Sequence, residues 1–249
     1  MSSREIVVQT AGLTKSYRRG KTTVGALNGI DLSVAKGEIV GIVGPSGSGK
    51  TTLLNLIGGL DRPSGGKVVV GGTDLSLLEG SQLADYRLRK VGFIFQFYNL
   101  IPILTAVENV ELPMSFAGVP SPERRSRALE LLKTVGLDAR SEHRPEEMSG
   151  GEQQRVAVAR SLANGPAIVL GDEPTGDLDS ASARALMELI DSLRREKGCT
   201  FILVTHDPLV VEHCDRAYSV RDGRIVRVLP RDSDAPTAGE RSGRQDGLY

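Results

Sequence analysis

The eight residues GPSGSGKT at positions 44–51 constrain this 249-residue chain more than any other stretch. They follow the apolar run EIVGIV (38–43) and precede KTTLLNLIGGL, which has the look of a helix. A Gly-x-x-x-x-Gly-Lys-Thr pattern between a strand and a helix is a phosphate-binding loop. Gly44, Pro45, Ser46, Gly47, Ser48 and Gly49 supply bare, turning backbone whose N–H groups fold into a nest around phosphate oxygens. The helix that follows adds the positive end of its dipole. Lys50 is expected to bridge the β- and γ-phosphates, and the Thr51 hydroxyl to ligate Mg²⁺, with Thr52 beside it. The expected ligand is a nucleoside triphosphate.

A second constellation is AIVLGDEP, where Asp172 and Glu173 stand at the end of an apolar run. Acidic residues just past a strand's C-terminal end sit where ligands bind in α/β sheets. Asp172 is suited to hold Mg²⁺ through its water shell, and Glu173 to polarise an attacking water as general base. His206 follows the strand-like TFILVT (200–205) and is placed to reach a terminal phosphate or that water.

Apolar runs alternate with helical patterns, which predicts an α/β domain with a largely parallel sheet. The strand candidates are EIVGIV, GFIFQ (92–96), AIVLG (167–171) and TFILVT. Nearer the start, IVVQTAGLTKSY and ALNGIDLSVAKGE read as strands with polar turns, and AYSVRDGRIVRV carries an Asp-Gly hairpin turn at 222–223. Between Phe97 and Pro166 the pattern becomes helical, as in SPERRSRALELLKTVGL with Pro122 near its start and Gly136 near its end. The expected organisation is a core over 1–96 and 165–230 with a helical insertion over 97–164. After Pro230 the chain turns polar, and its composition predicts disorder over 231–249.

The segment MSGGEQQRVAVARSLA (148–163) poses a puzzle. Ser149 and Glu152 have the form of a capping box at a helix start. Two glycines in that first turn are out of place, since each costs a helix about 1 kcal/mol relative to alanine. Something there requires exposed backbone.

Lysine plus arginine and aspartate plus glutamate balance at 31 each, so no basic field draws the chain to nucleic acid or to an anionic membrane. No apolar run approaches a membrane span, and MSSREIVVQT lacks a signal peptide's apolar stretch, so the expected address is cytoplasmic. Cys199 and Cys214 give no disulfide framework, and no Cys/His cluster has zinc spacing.

A P-loop, Gln96, SGGE, a strand-end Asp-Glu and a strand-end His occur in this order. The combination resembles the nucleotide-binding domain of ATP-binding-cassette proteins over roughly residues 5 to 228. The resemblance implies a RecA-like P-loop NTPase core with an N-terminal antiparallel β subdomain and an inserted α-helical subdomain. It implies ATP and Mg²⁺ as ligands, Tyr17 stacked on adenine, and Gln96 reaching Mg²⁺ or the lytic water. Gly176, Asp177, Leu178 and Asp179 resemble the D-loop that meets the opposite subunit, which would bring Asp179 to the nucleotide, and His206 resembles the switch histidine. In such proteins Ser149, Gly150 and Gly151 would face the γ-phosphate of ATP held by a second copy, arranged head to tail, and bare amides at a helix start suit that anion. Relative to the commonest LSGGQ, Met148 replaces Leu and Glu152 replaces Gln; Glu152 is expected to turn back to its own helix start.

The segment LRKVGFIFQFYNLIPILTAVENVELP (88–113) is similar to the macrolide-exporter, lipoprotein-release and cell-division ATPases of the MacB, LolD and FtsE type. That similarity implies an ATPase subunit working as a homodimer at the inner face of the cell membrane. It would drive a separate permease of the MacB, LolD or FtsX kind for export or extraction of substrate. The same catalytic residues would also serve an FtsE-like ATPase that signals through a membrane partner without transport. A soluble ATPase acting on DNA or ribosomes is disfavoured by the charge balance, and a GTPase by the lack of an NKxD-type motif. FYNLIPILTAVENV is expected to line a groove for a cytoplasmic helix of the permease.

Overall fold

Four of the apolar runs lie side by side as parallel strands. In the computed structural model, which describes residues 5–20 and 22–230, they are β3 (Ile39–Val43), β6 (Val91–Phe95), β7 (Ile168–Asp172) and β8 (Phe201–Val204). With β9 (Arg216–Arg221) and β10 (Arg224–Pro230) they form a six-stranded sheet in the order β10-β9-β3-β8-β7-β6, parallel except for β10. Tail residues 231–249, for which disorder is expected, lie outside the described residues.

The sheet is covered on both faces, which is why its strands are apolar throughout. Successive side chains alternate between two cores: Phe201 and Leu203 enter one, Ile202 and Val204 the other. Ile168 and Leu170 share the second core with Leu53, Leu54, Leu56 and Ile57 of α1 (Lys50–Ile57). Beyond α1 lies an antiparallel sheet in the order β2-β1-β4-β5, built from β1 (Ile6–Arg19), β2 (Thr22–Ala35), β4 (Gly65–Val70) and β5 (Thr73–Asp74). The polar breaks expected in the first two strands are bulges within long strands; the register shifts between Thr10 and Leu13, where Gly12 takes φ 53°.

The first core is closed by α3 (Ala106–Phe116), α4 (Ser121–Thr134), α5 (Gly150–Ser161) and α6 (Ser180–Lys197). Three of these, α3 to α5, fall between β6 and β7, where the sequence turns helical. The remaining helices are α2 (Gly80–Lys90) and the short α7 (Pro208–His213). Asp222 and Gly223 both have positive φ, 49° and 70°, the turn that matches strand twist in a two-residue hairpin. Gly223 N–H donates to the Ser48 carbonyl at 3.0 Å, so this hairpin also braces the P-loop.

Candidate functional site

Because β3, β8, β7 and β6 are parallel, their C-terminal ends share one edge, and each delivers a residue singled out from the sequence. The P-loop follows β3, His206 lies just beyond β8, Asp172 closes β7 with Glu173 after it, and Gln96 follows β6. Asp172 is the last residue of the strand, where the sequence had it just past the end; its carboxylate thereby faces the loop directly.

Two of the loop's glycines are required by space as well as by torsion. Gly44, Gly47 and Gly49 have φ of 150°, 76° and 104°. A Cβ at Gly44 would lie 2.1 Å from the Val220 carbonyl oxygen, and one at Gly49 2.6 Å from that of Ala26. Lys50 folds over the loop and donates to the Gly44 and Pro45 carbonyls at 2.8 and 2.9 Å. Among the described residues no carboxylate pairs with this ammonium. Ser48 Oγ is buried and has no hydrogen-bond partner among them. A nest of backbone, an unpaired cation and an orphaned hydroxyl fit a phosphate chain.

Thr51 Oγ1 stands 3.4 Å from Asp172 Oδ1. Two hard oxygens side by side at the mouth of the loop fit a small divalent cation such as Mg²⁺. Burial pushes the Asp172 carboxyl up and the Glu173 charge adds to this, while Thr51 and Lys50 pull it back.

Glu173 adopts φ 49°, a left-handed conformation uncommon for a side chain of this kind. The turn is held by its own N–H to the Val204 carbonyl at 2.9 Å. Its Oε1 lies 2.9 Å from His206 Nδ1, which donates because a carboxylate only accepts. Strain of this kind persists where surrounding structure over-determines it, often at reactive positions.

Tyr17 is 42% exposed, and its ring is covered on one face by the Lys15 ammonium, 4.8 Å from the centroid. Its hydroxyl donates to Asp61 at 2.7 Å and adjoins Thr52, so the ring stands beside the start of α1. Gln96 leans on Gly176, where an added Cβ would meet its Nε2 at 3.0 Å, and its amide makes no hydrogen bond among the described residues. Asp179, expected at the nucleotide, caps α6 here by accepting from Ala181 N and Ser182 N at 2.9 and 3.0 Å.

Ser149 caps α5 in a complete box: its Oγ accepts from Glu152 N at 3.3 Å, and Glu152 Oε2 accepts from Ser149 N at 2.8 Å. Glu152 turns to its own helix start and meets Arg140 at 3.4 Å. The Ser149 N–H is the largest influence holding the Glu152 carboxyl below its usual range. Stability from that box is therefore full above the ordinary carboxylate range and fades as pH falls through the lowered value. Glu152→Gln keeps an acceptor for Ser149, so we expect the KM for ATP to stay within about 2-fold of wild type, a small surface effect. A steady-state ATPase titration checks this, and a larger change would place the carboxylate at nucleotide.

Gly150 and Gly151 have close side-chain neighbours inside the chain. A Cβ on Gly150 would come 2.7 Å from the Tyr98 hydroxyl, and one on Gly151 3.0 Å from Ser182 Oγ. Among the described residues, no hydrogen bond of Ser149, Gly150 or Gly151 reaches the P-loop of the same chain. Sequence reasoning did not single out Tyr98. Its hydroxyl donates to Asp177 Oδ2 at 3.1 Å, and its left-handed turn, φ 53°, is held by Arg160 on α5 through the Tyr98 and Asn99 carbonyls.

This arrangement, a P-loop on a parallel sheet with a flanking antiparallel sheet and helical segment, is that of an ATP-binding cassette. A family model described as ABC transporter matches residues 27–176. An uncharacterized ABC transporter ATP-binding protein of Thermotoga maritima is 51% identical over 90% of this chain and 96% of its own length. The lipoprotein-releasing system ATP-binding protein LolD of Chromohalobacter salexigens is 46% identical over 90% of this chain and 94% of its own. The macrolide export ATP-binding/permease protein MacB of Brucella melitensis is 47% identical over 93% of this chain, which spans only 36% of that protein. Among solved structures, the dimeric cassette MJ0796 bound to ADP and Pi superposes with a TM-score of 0.81 at 44% identity, covering 90% of this chain and 98% of that one. The chain belongs to the ABC transporter family and is an ATPase of that family.

Proposed function

We propose that this chain is the ATP-hydrolysing subunit of a transporter of the LolD/MacB kind, acting as a head-to-tail homodimer on a separate membrane permease. The observation that carries this reading is the gathering of Lys50, the Thr51–Asp172 pair and the Glu173–His206 pair on one sheet edge. Lys50 and the P-loop amides bind the phosphates of ATP, and Tyr17 offers its open ring face to the adenine. Thr51, Asp172 and Gln96 would hold Mg²⁺, which supplies positive charge against the phosphate oxygens. Glu173 accepts a proton from the attacking water, and His206 steadies the carboxylate. Gly150 and Gly151 point their amides, and Ser149 its hydroxyl, at ATP held by the other copy, which completes each site.

No helix among the described residues is long and apolar enough to cross a membrane. An apolar groove of about 270 Å³ runs between α3 and the edge of β6, lined by Leu88, Phe93, Leu112, Pro113 and Phe116. Phe97, Ile103 and Phe116 stand 68%, 75% and 72% exposed. Of FYNLIPILTAVENV, Asn99 lines this groove, while Ala106, Val107 and Val110 pack into the core, because α3 turns them inward. The groove suits a cytoplasmic helix of the permease, and the substrate is exported or extracted from the membrane at that partner. A photo-crosslinker at Leu112 is expected to capture a polytopic membrane protein in membranes carrying both partners, and adding Phe116→Asp to lower its recovery at least about 10-fold, as for a buried interface anchor. Unchanged recovery with Phe116→Asp counts against the docking surface.

A further inference from the structure

One turn into α5, Gln154 is 0% exposed. Its Nε2 donates to the Phe95 carbonyl at 3.2 Å and also to the Pro174 carbonyl. Both partners only accept, so the NH₂ end of the amide must face them. That orientation leaves Oε1 buried without a partner among the described residues. A leucine or methionine would fill this space without burying an unpaired side-chain oxygen, so packing alone does not account for the amide.

What the amide touches does account for it. Phe95 is the last residue of β6 and precedes Gln96; Pro174 follows Glu173. The backbone ladder between β6 and β7 ends at the pair Phe95 and Asp172. Beyond it Glu173 swings into its left-handed conformation and the two chains have no further rung. The two N–H groups of Gln154 supply that rung, from the helix whose first turn carries Ser149, Gly150 and Gly151.

We propose that Gln154 is a positioning residue for ATP hydrolysis, holding Gln96 and Glu173 in register with each other and with the glycine-rich start of α5. The proposal rests on the roles given to those residues above. Gln154 touches neither nucleotide nor water; it acts through two backbone carbonyls. Its removal therefore loosens the geometry of chemistry and leaves the P-loop's grip on ATP intact.

The test compares kcat and KM for ATP in wild type, Lys50→Ala, Gln154→Met and Gln154→Asn, each normalised to binding sites counted with a fluorescent ATP analogue. Gln154→Met keeps the volume and deletes both bonds; it is expected to lower kcat about 10-fold, since misplacement of reacting groups by an ångström costs up to about 100-fold. KM is expected to stay within about 2-fold, because Lys50 and the nest are untouched. Gln154→Asn retains an amide too short to span both carbonyls and should fall between Met and wild type. A purely structural role would lower the melting temperature and the number of sites while leaving kcat per site unchanged. Per-site kcat within about 2-fold of wild type in the folded variants, Asn alone sufficing if Met does not fold, overturns the proposal. An inactive wild type, or an active Lys50→Ala, overturns the assignment of the site itself and is thereby told apart.

Discussion

Lys50→Ala is expected to lower ATP turnover at least about 100-fold, the scale seen when one preorganised donor to developing negative charge is removed. The Lys50 ammonium is held inside the loop. It rests on two neutral carbonyls, Gly44 and Pro45, and pairs with no carboxylate among the described residues. A cation kept in a concave loop on neutral partners retains its charge for a ligand, and low-dielectric surroundings raise what that charge is worth. Alanine removes it and leaves the glycine conformations untouched, so the fold should survive; the freed carbonyls belong to a loop open to water. Lys50→Arg should also be poor, because a rigid planar fork does not replace a compact ammonium. Phosphate release measured beside the melting temperature checks both statements. Turnover within about 2-fold of wild type in a folded Lys50→Ala protein would remove Lys50 from the site.

What the sequence disclosed follows a physical division. The P-loop, the hairpin at Asp222 and Gly223 and the capping box at Ser149 are local: a few adjacent residues fix their own torsions and hydrogen bonds, and their spacing states the result. The buried strands were legible because a sheet covered on both faces makes them continuously apolar. The strand Gly65–Val70 was missed for the converse reason, since it opens on two glycines that lack a strand's composition. Tyr98 with Asp177, and Gln154 with Phe95 and Pro174, could not be read at all. Each joins residues far apart in the chain, and nothing in a tyrosine or a glutamine announces a backbone carbonyl that arrives from another element. The glycines at 150 and 151 show both sides at once. Their oddity was visible, while the close approach of the Tyr98 hydroxyl and the Ser182 side chain exists only once the chain is folded.

Glu173→Gln is expected to slow hydrolysis by about 100- to 10,000-fold, the range for loss of a positioned general base. The change is narrow by design. The positive φ at Glu173 and its N–H bond to Val204 belong to the backbone, and a glutamine oxygen still accepts from His206 Nδ1. Asp172 and Thr51 remain to hold a cation, and Lys50 to hold phosphate. Every interaction that binds ATP therefore persists while the acceptor for the proton of water is lost. If two copies close around two nucleotides, blocking turnover leaves nothing to reopen them, and ligation of the closed form should drive association by mass action. Size-exclusion chromatography with light scattering in MgATP should show Glu173→Gln as a dimer of twice the 26.6 kDa chain, and as a monomer without nucleotide. Adding Ser149→Arg to that variant places a long cationic side chain where the other copy's phosphate must approach, and the dimer should dissolve while each protomer still binds ATP. A Glu173→Gln protein that hydrolyses ATP at more than about a tenth of the wild-type rate would move the base elsewhere. One that remains monomeric in MgATP would break the link between the two half-sites.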